Sequence, residues 1–278
     1  MAIRRHPLDI HAEHVRAVEA AGVTPPPEWT ALKERITAFN RMATPCRDHL
    51  IDAVIAGAPA EDIAKLRAAA FAEPAEPPEV GYAVLHAGYE ELCAIYRPHA
   101  QANYQKIADK FDKAAAEFST AAQLVDPDAS AESIIVNNEE QRTAWAELPR
   151  YAARIDSLIA GLRAAAELTG TSTKRQEAQL ALTVDATGLH RRRVWAAWHD
   201  TGSRAGRWGA LVRLGATIRA ATLDGFTEYS LPKPFEEKIE RHDGMVVAVT
   251  IDPEDAEVAQ APTPATVAKS PKPGSMRL

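Results

Sequence analysis

Residues 104–125 read YQKIADKFDKAAAEFSTAAQLV. Tyr104, Ile107, Phe111, Ala114, Phe118, Ala121 and Val125 fall at alternating steps of three and four. On an α-helix that spacing lines one face, so the stretch predicts a long helix with an apolar seam across three heptads. At 1.5 Å per residue the seam extends on the order of 33 Å. The helix can begin as early as Tyr82, with a kink expected at Pro98. Asp126-Pro127-Asp128 closes it, because a residue before proline is biased away from helix.

A second seam lies downstream at Leu148, Tyr151, Ile155, Leu158, Leu162 and Ala165, and Gly170 provides a stop. Two seams of similar length joined by a polar connector predict an antiparallel helical hairpin. Packing within one chain and a coiled coil between chains both satisfy the pattern, since three heptads barely distinguish them.

Three proline-rich stretches punctuate the rest: Pro25-Pro26-Pro27, residues 73–79 (EPAEPPE) and the tail from Pro253. Proline lacks the amide donor, so these read as connectors and an extended tail. Short helices are expected between Pro27 and Glu73. Trp29, Leu32, Ile36 and Phe39 recur at helical spacing, and Glu61 and Asp62 after Pro59 mark an acidic first turn. Residues 174–223 read as helical, broken near Gly188 and Thr201-Gly202, with Leu211, Val212, Leu214, Ile218 and Leu223 on the last helix. Residues 245–251 (MVVAVTI) are β-branched and read as a strand. A lone strand needs a partner, for which Phe226–Leu231 or another subunit are the candidates. The expected fold is mainly α: a helical bundle with a central long hairpin, a small β element near 245–251 and an extended C-terminal tail. Its segments are 1–79, 80–170, 171–252 and 253–278.

The chain of 278 residues has ordinary globular composition, 46% hydrophobic and 25% charged, enough to bury a core. Two distant cysteines, Cys46 and Cys93, make no disulfide framework. The N-terminus has no apolar stretch of a secretory signal, and no window approaches the roughly 18 apolar residues of a membrane span. A cytoplasmic location is expected, or a virion if the gene belongs to a phage. The excess of Arg (22) over Lys (10), with abundant Ala and Pro, suits a GC-rich genome.

Charge is unevenly placed. Residues 174–223 hold nine basic and three acidic side chains, whereas the whole chain carries −6. Arg191, Arg192, Arg193, Arg204 and Arg207 lie there beside Trp195, Trp198 and Trp208. Such a band has three readings. Arg forks and aromatic faces fit phosphates and bases. They fit an acidic protein surface equally. The tryptophans also suit a core, with the arginines paired to the chain's own acids.

Local catalytic signatures are absent: there is no Walker loop, Rossmann glycine loop, nucleophile elbow or HExxH helix. His11/His14 and Cys46/His49 each place two potential ligands one helical turn apart, but zinc wants three or four. Residues 198–203 (WHDTGS) read as a turn, with Asp200, Thr201 and Ser203 as caps of the next helix. Glu90-Glu91, Glu139-Glu140 and Glu236-Glu237 read as solvated charge. Neither metal nor cofactor is expected. The leading expectation is a noncatalytic structural or assembly protein, a component of a phage virion or another large particle, whose partners are itself or other subunits. A nucleic-acid-binding accessory protein using the 174–223 band comes second, and an enzyme without a local motif third.

Overall fold

The computed structural model describes residues 6–41, 45–72, 78–242 and 245–255. The fold is mainly α and is organised by two long helices, α5 (Pro78–Leu124) and α7 (Glu139–Thr169), which pack as a hairpin. All seven side chains of the first seam are buried, as are Leu148, Ile155, Leu162 and Ala165 of the second. Tyr151 and Leu158 are half-buried against the same core. Leu148, Ile155 and Leu162 therefore meet Ile107, Phe111 and Phe118 in one apolar cluster within the chain. Each such side chain stabilises by about 1.5–3 kcal/mol when taken from water.

Helix α5 starts at Pro78 and continues through Pro98, while α7 continues through Pro149. Its ends have identifiable causes. Asn138 accepts the Gln141 N–H at 2.8 Å, and Gly170 closes the helix at φ +97°. A short α6 (Ala131–Ile135) occupies the connector, capped by Ser130.

Two N-terminal helices fill out the bundle. Helix α1 (Pro7–Ala20) packs on α5 and α7, and α2 (Pro27–Arg41) on α5. Leu8, Ala12, Val15, Trp29, Ile36, Leu92, Tyr96 and Ala100 form a second buried cluster. Gly161 permits the close approach of α1 and α7: a Cβ there would lie 2.5 Å from Ala21 Cβ. Helices α3 (Pro45–Ile55) and α4 (Ala60–Ala72) pack on each other as a separate hairpin.

The C-terminal region departs from several expectations. Three helices, α8 (Gln176–Thr183), α9 (Arg191–Trp198) and α10 (Gly206–Leu214), cover the long hairpin. Helix α10 ends at Leu214, because Gly215 turns left-handed at φ +92°. Ile218 is consequently in a strand, not on that helix. Strands β1 (Val184–Asp185) and β2 (Thr217–Ile218) pair antiparallel.

The strand at 245–251 is present as β4 (Met245–Ile251), and its partner is β3 (Glu236–His242), not Phe226–Leu231. Glu236-Glu237 therefore belong to a strand. Residues 198–203 do turn, with Asp200 accepting the Gly202 and Ser203 amides. They do not cap α10, whose N-cap is Ala205. The proline-rich tail lies outside the described residues beyond Asp255.

Candidate functional site

The arginine band meets the chain's own acids. On α9, Arg192 Nε donates to Asp252 Oδ2 at 2.6 Å, and Arg191 Nε lies 3.0 Å from Glu254 Oε1. His190, the N-cap of α9, approaches Asp255 Oδ1 at 3.1 Å and Asp252 Oδ2 at 3.6 Å. Arg192 also donates to the Lys233 carbonyl at 2.6 Å, and its guanidinium sits 3.7 Å from the Phe235 ring centre. Glu254, buried, accepts the Lys233 amide at 2.9 Å. Residues 190–192 thus clamp both feet of the β3–β4 hairpin, at 233–235 and 252–255. Hydrogen bonding from Arg192 holds the Asp252 carboxyl below its ordinary range, so it stays ionised.

Four further arginines of the band are similarly engaged. Arg207 lies 3.5 Å from Asp156, Arg213 2.6 Å from Asp128, and Arg219 2.7 Å from Asp185. Arg204 lies over the Trp145 ring at 3.3 Å. Arg193 is exposed, and its guanidinium has no partner among the described residues. Trp195, Trp198 and Trp208 are buried. Trp195 donates to the Ser230 carbonyl and Trp208 to Asp156, while Trp198 and Trp208 meet edge to face. Their faces are spent on the core. Stacking on a base needs an exposed ring, and these rings are enclosed.

A second constellation was not visible in sequence. Helix α1, α5 and the end of α7 enclose an open cleft of about 570 Å³ lined by His11, His14, Tyr89, Cys93, Arg97 and Glu167 among others. The buried Trp29 N–H donates to His11 Nε2 at 3.2 Å. A neutral imidazole that accepts at Nε2 carries its proton on Nδ1. That nitrogen lies 3.6 Å from Cys93 Sγ. Burial, with repulsion from His14 second, holds the His11 pKa down to about 4. Burial pushes the Cys93 thiol up, against smaller lowering contributions from Tyr89 and Arg97. The pair is therefore imidazole and thiol at neutral pH. Nucleophilic chemistry at cysteine needs the thiolate and a base with a free lone pair aimed at it, and this geometry provides neither. His11 meets Cys93, not Cys46. Among the described residues no group of three or more His, Cys, Asp and Glu side chains is placed to hold a metal ion.

The third feature is a surface. Between Cys46 and Phe71 no described residue is buried. Ile55 and Phe71 are each 80% exposed, and Ile51 and Val54 are more than half exposed. Sequence periodicity marked these helices but gave no sign that their apolar side chains would find no cover. Among the described residues no helix is long and apolar enough to cross a membrane. No protein-family model, no curated protein and no solved structure matches this chain.

Proposed function

We propose that this protein works by contact, as a noncatalytic assembly component that associates with copies of itself. The observation that carries the reading is the α3–α4 hairpin. Isolated helices of 11 and 13 residues are marginal in water, because most helical stability comes from burying an apolar face. Here Ile51, Val54, Ile55 and Phe71 remain exposed. Three of the four lie within five residues of α3, and large apolar side chains left exposed together mark an interaction surface. The internal pairing of the arginine band and the burial of its tryptophans favour this reading over nucleic-acid contact. The thiol form of Cys93 favours it over covalent catalysis in the cleft.

The test is solution mass against concentration, by light scattering, for the wild type and for an Ile55→Glu/Phe71→Glu variant. Oligomers in the wild type whose mass falls in the variant are expected. A wild type that stays at the 30.1 kDa chain mass at every concentration overturns the proposal.

A further inference from the structure

The β3–β4 hairpin presents a second, chemically different surface. Its strands pair over seven residues each, from Glu236↔Ile251 to His242↔Met245, and form a two-stranded sheet with no third strand among the described residues. A two-stranded sheet in water is marginal, and three or more strands with an apolar face are needed for independent stability. This one is held at its feet by the α9 clamp and extends beyond it. Ile239 is 72% exposed, and Ala248, which faces it across the pair, is also exposed.

The two open edges differ in charge. Strand β3 reads EEKIERH, with five charged residues in seven. Charged side chains on an edge strand blunt further pairing. Strand β4 reads MVVAVTI and contains no charge, proline or glycine. Among the described residues its edge is open, and its sequence lacks the charge and proline that prevent strand addition.

We infer that the open edge of β4 pairs antiparallel with β4 of a second copy, about a two-fold axis at Ala248, giving a four-stranded sheet β3-β4-β4-β3. Two arguments select a second copy as the occupant. The net charge of −6 opposes association of two copies, so their contact is least opposed where charge is absent, and β4 opposes no like charges across a two-fold axis. The register is also self-complementary. With the axis at Ala248, one row across the sheet runs Ile239, Ala248, Ala248 of the second copy, Ile239 of the second copy. That row joins four apolar positions that are exposed in one chain. This inference rests on the assembly reading above and assigns it a second interface, apart from the α3–α4 face.

The test uses the full chain and three substitutions at one exposed position. Ala248→Lys places two ammonium groups across the axis and is expected to raise the dimer dissociation constant about tenfold or more, since opposed like charges are strongly unfavourable. Ala248→Thr is uncharged and suits a strand, and is expected to leave association unchanged. Ala248→Cys is expected to form a disulfide on mild oxidation between the two copies of position 248, located by peptide mass spectrometry. Directly opposed residues of antiparallel strands lie within disulfide range. Circular dichroism reports whether each variant folds, and the disulfide stands as evidence even if Ala248→Lys does not. An oligomer that survives Ala248→Lys unchanged and forms no 248–248 disulfide overturns this interface while leaving the assembly reading intact. A wild type that never associates overturns both.

Discussion

Arg192 holds Asp252 at 2.6 Å across 60 residues of sequence, with its guanidinium over the Phe235 ring on the other side. One side chain therefore ties α9 to both feet of the terminal hairpin. Arg192→Ala is expected to release residues 232–255 without unfolding the long hairpin. Hydrogen exchange should show amides of 236–242 and 245–251 losing protection, while those of 104–124 keep theirs. Arg192→Lys should not restore protection, because an ammonium cannot bridge Asp252 and stack on Phe235 as a planar fork does. Equal loss of protection in both regions would contradict the clamp.

The His11 imidazole gives a pH dependence with a defined sign. Its ordinary pKa of 6.5 falls to about 4 in the folded chain, mainly through burial. The unfolded chain thus binds the extra proton between these values, and stability rises with pH across that window. It is complete above about pH 6.5 and declines as pH falls toward 4. His14, whose pKa is also lowered chiefly by burial, acts in the same direction, moderated by Glu167 and Glu13. A shift of this size for His11 corresponds to at most about 3 kcal/mol, reduced because the cleft is open to solvent. Urea unfolding at pH 7.5 and pH 4.5 should show the loss. His11→Gln, which keeps an acceptor for the Trp29 N–H, should diminish the difference between the two pH values.

Two glycines should respond with opposite signs to the same substitution. At Gly161 a methyl would sit 2.5 Å from Ala21 Cβ and 3.3 Å from the Ala17 carbonyl, so α1 must move away from α7. Gly161→Ala is expected to cost about 1–3 kcal/mol as overpacking. Gly81, inside α5, has open space around its Cβ position. Gly81→Ala is expected to stabilise by roughly 0.5–1 kcal/mol through helix propensity. Thermal melts of the two variants should bracket the wild type.

The central hairpin was legible in sequence because large apolar residues repeat where a helix brings them together. Tyr104, Phe111 and Phe118 state that period plainly, and their burial follows. Strand β3 was hidden for the converse reason: with five charges in seven residues it has almost no apolar alternation. The hint was Asp243-Gly244, a dipeptide that favours two-residue hairpin turns, standing directly before MVVAVTI. The end of α10 was readable from Gly215, but Ile218 and Leu223 continue an apolar spacing that masks the stop. Contacts such as Arg192 with Asp252, or His11 with Trp29 and Cys93, join residues far apart in sequence. Charge composition announced a basic band, but only the fold determines which carboxylates it meets.

The seam itself yields the last prediction. Phe111 is fully buried on α5, and its ring meets Trp208 edge to face with centres 6.3 Å apart. Phe111→Ala removes a ring from the middle of the α5–α7 contact and leaves a cavity walled by helices that collapse only partly. The expected cost is about 3–5 kcal/mol, combining lost transfer energy with the cavity term. Ile55→Ala, on the exposed α3–α4 hairpin, should change the stability of the isolated chain by no more than about 0.5 kcal/mol. Protein concentration separates the two roles. The Phe111 seam is closed within one chain, so the loss at Phe111→Ala should be the same in dilute and concentrated solution. Any effect of Ile55→Ala should grow with concentration, because it acts through association. A cost at Phe111 that vanishes on dilution would place the seam between chains and displace the intramolecular hairpin as the core of the fold.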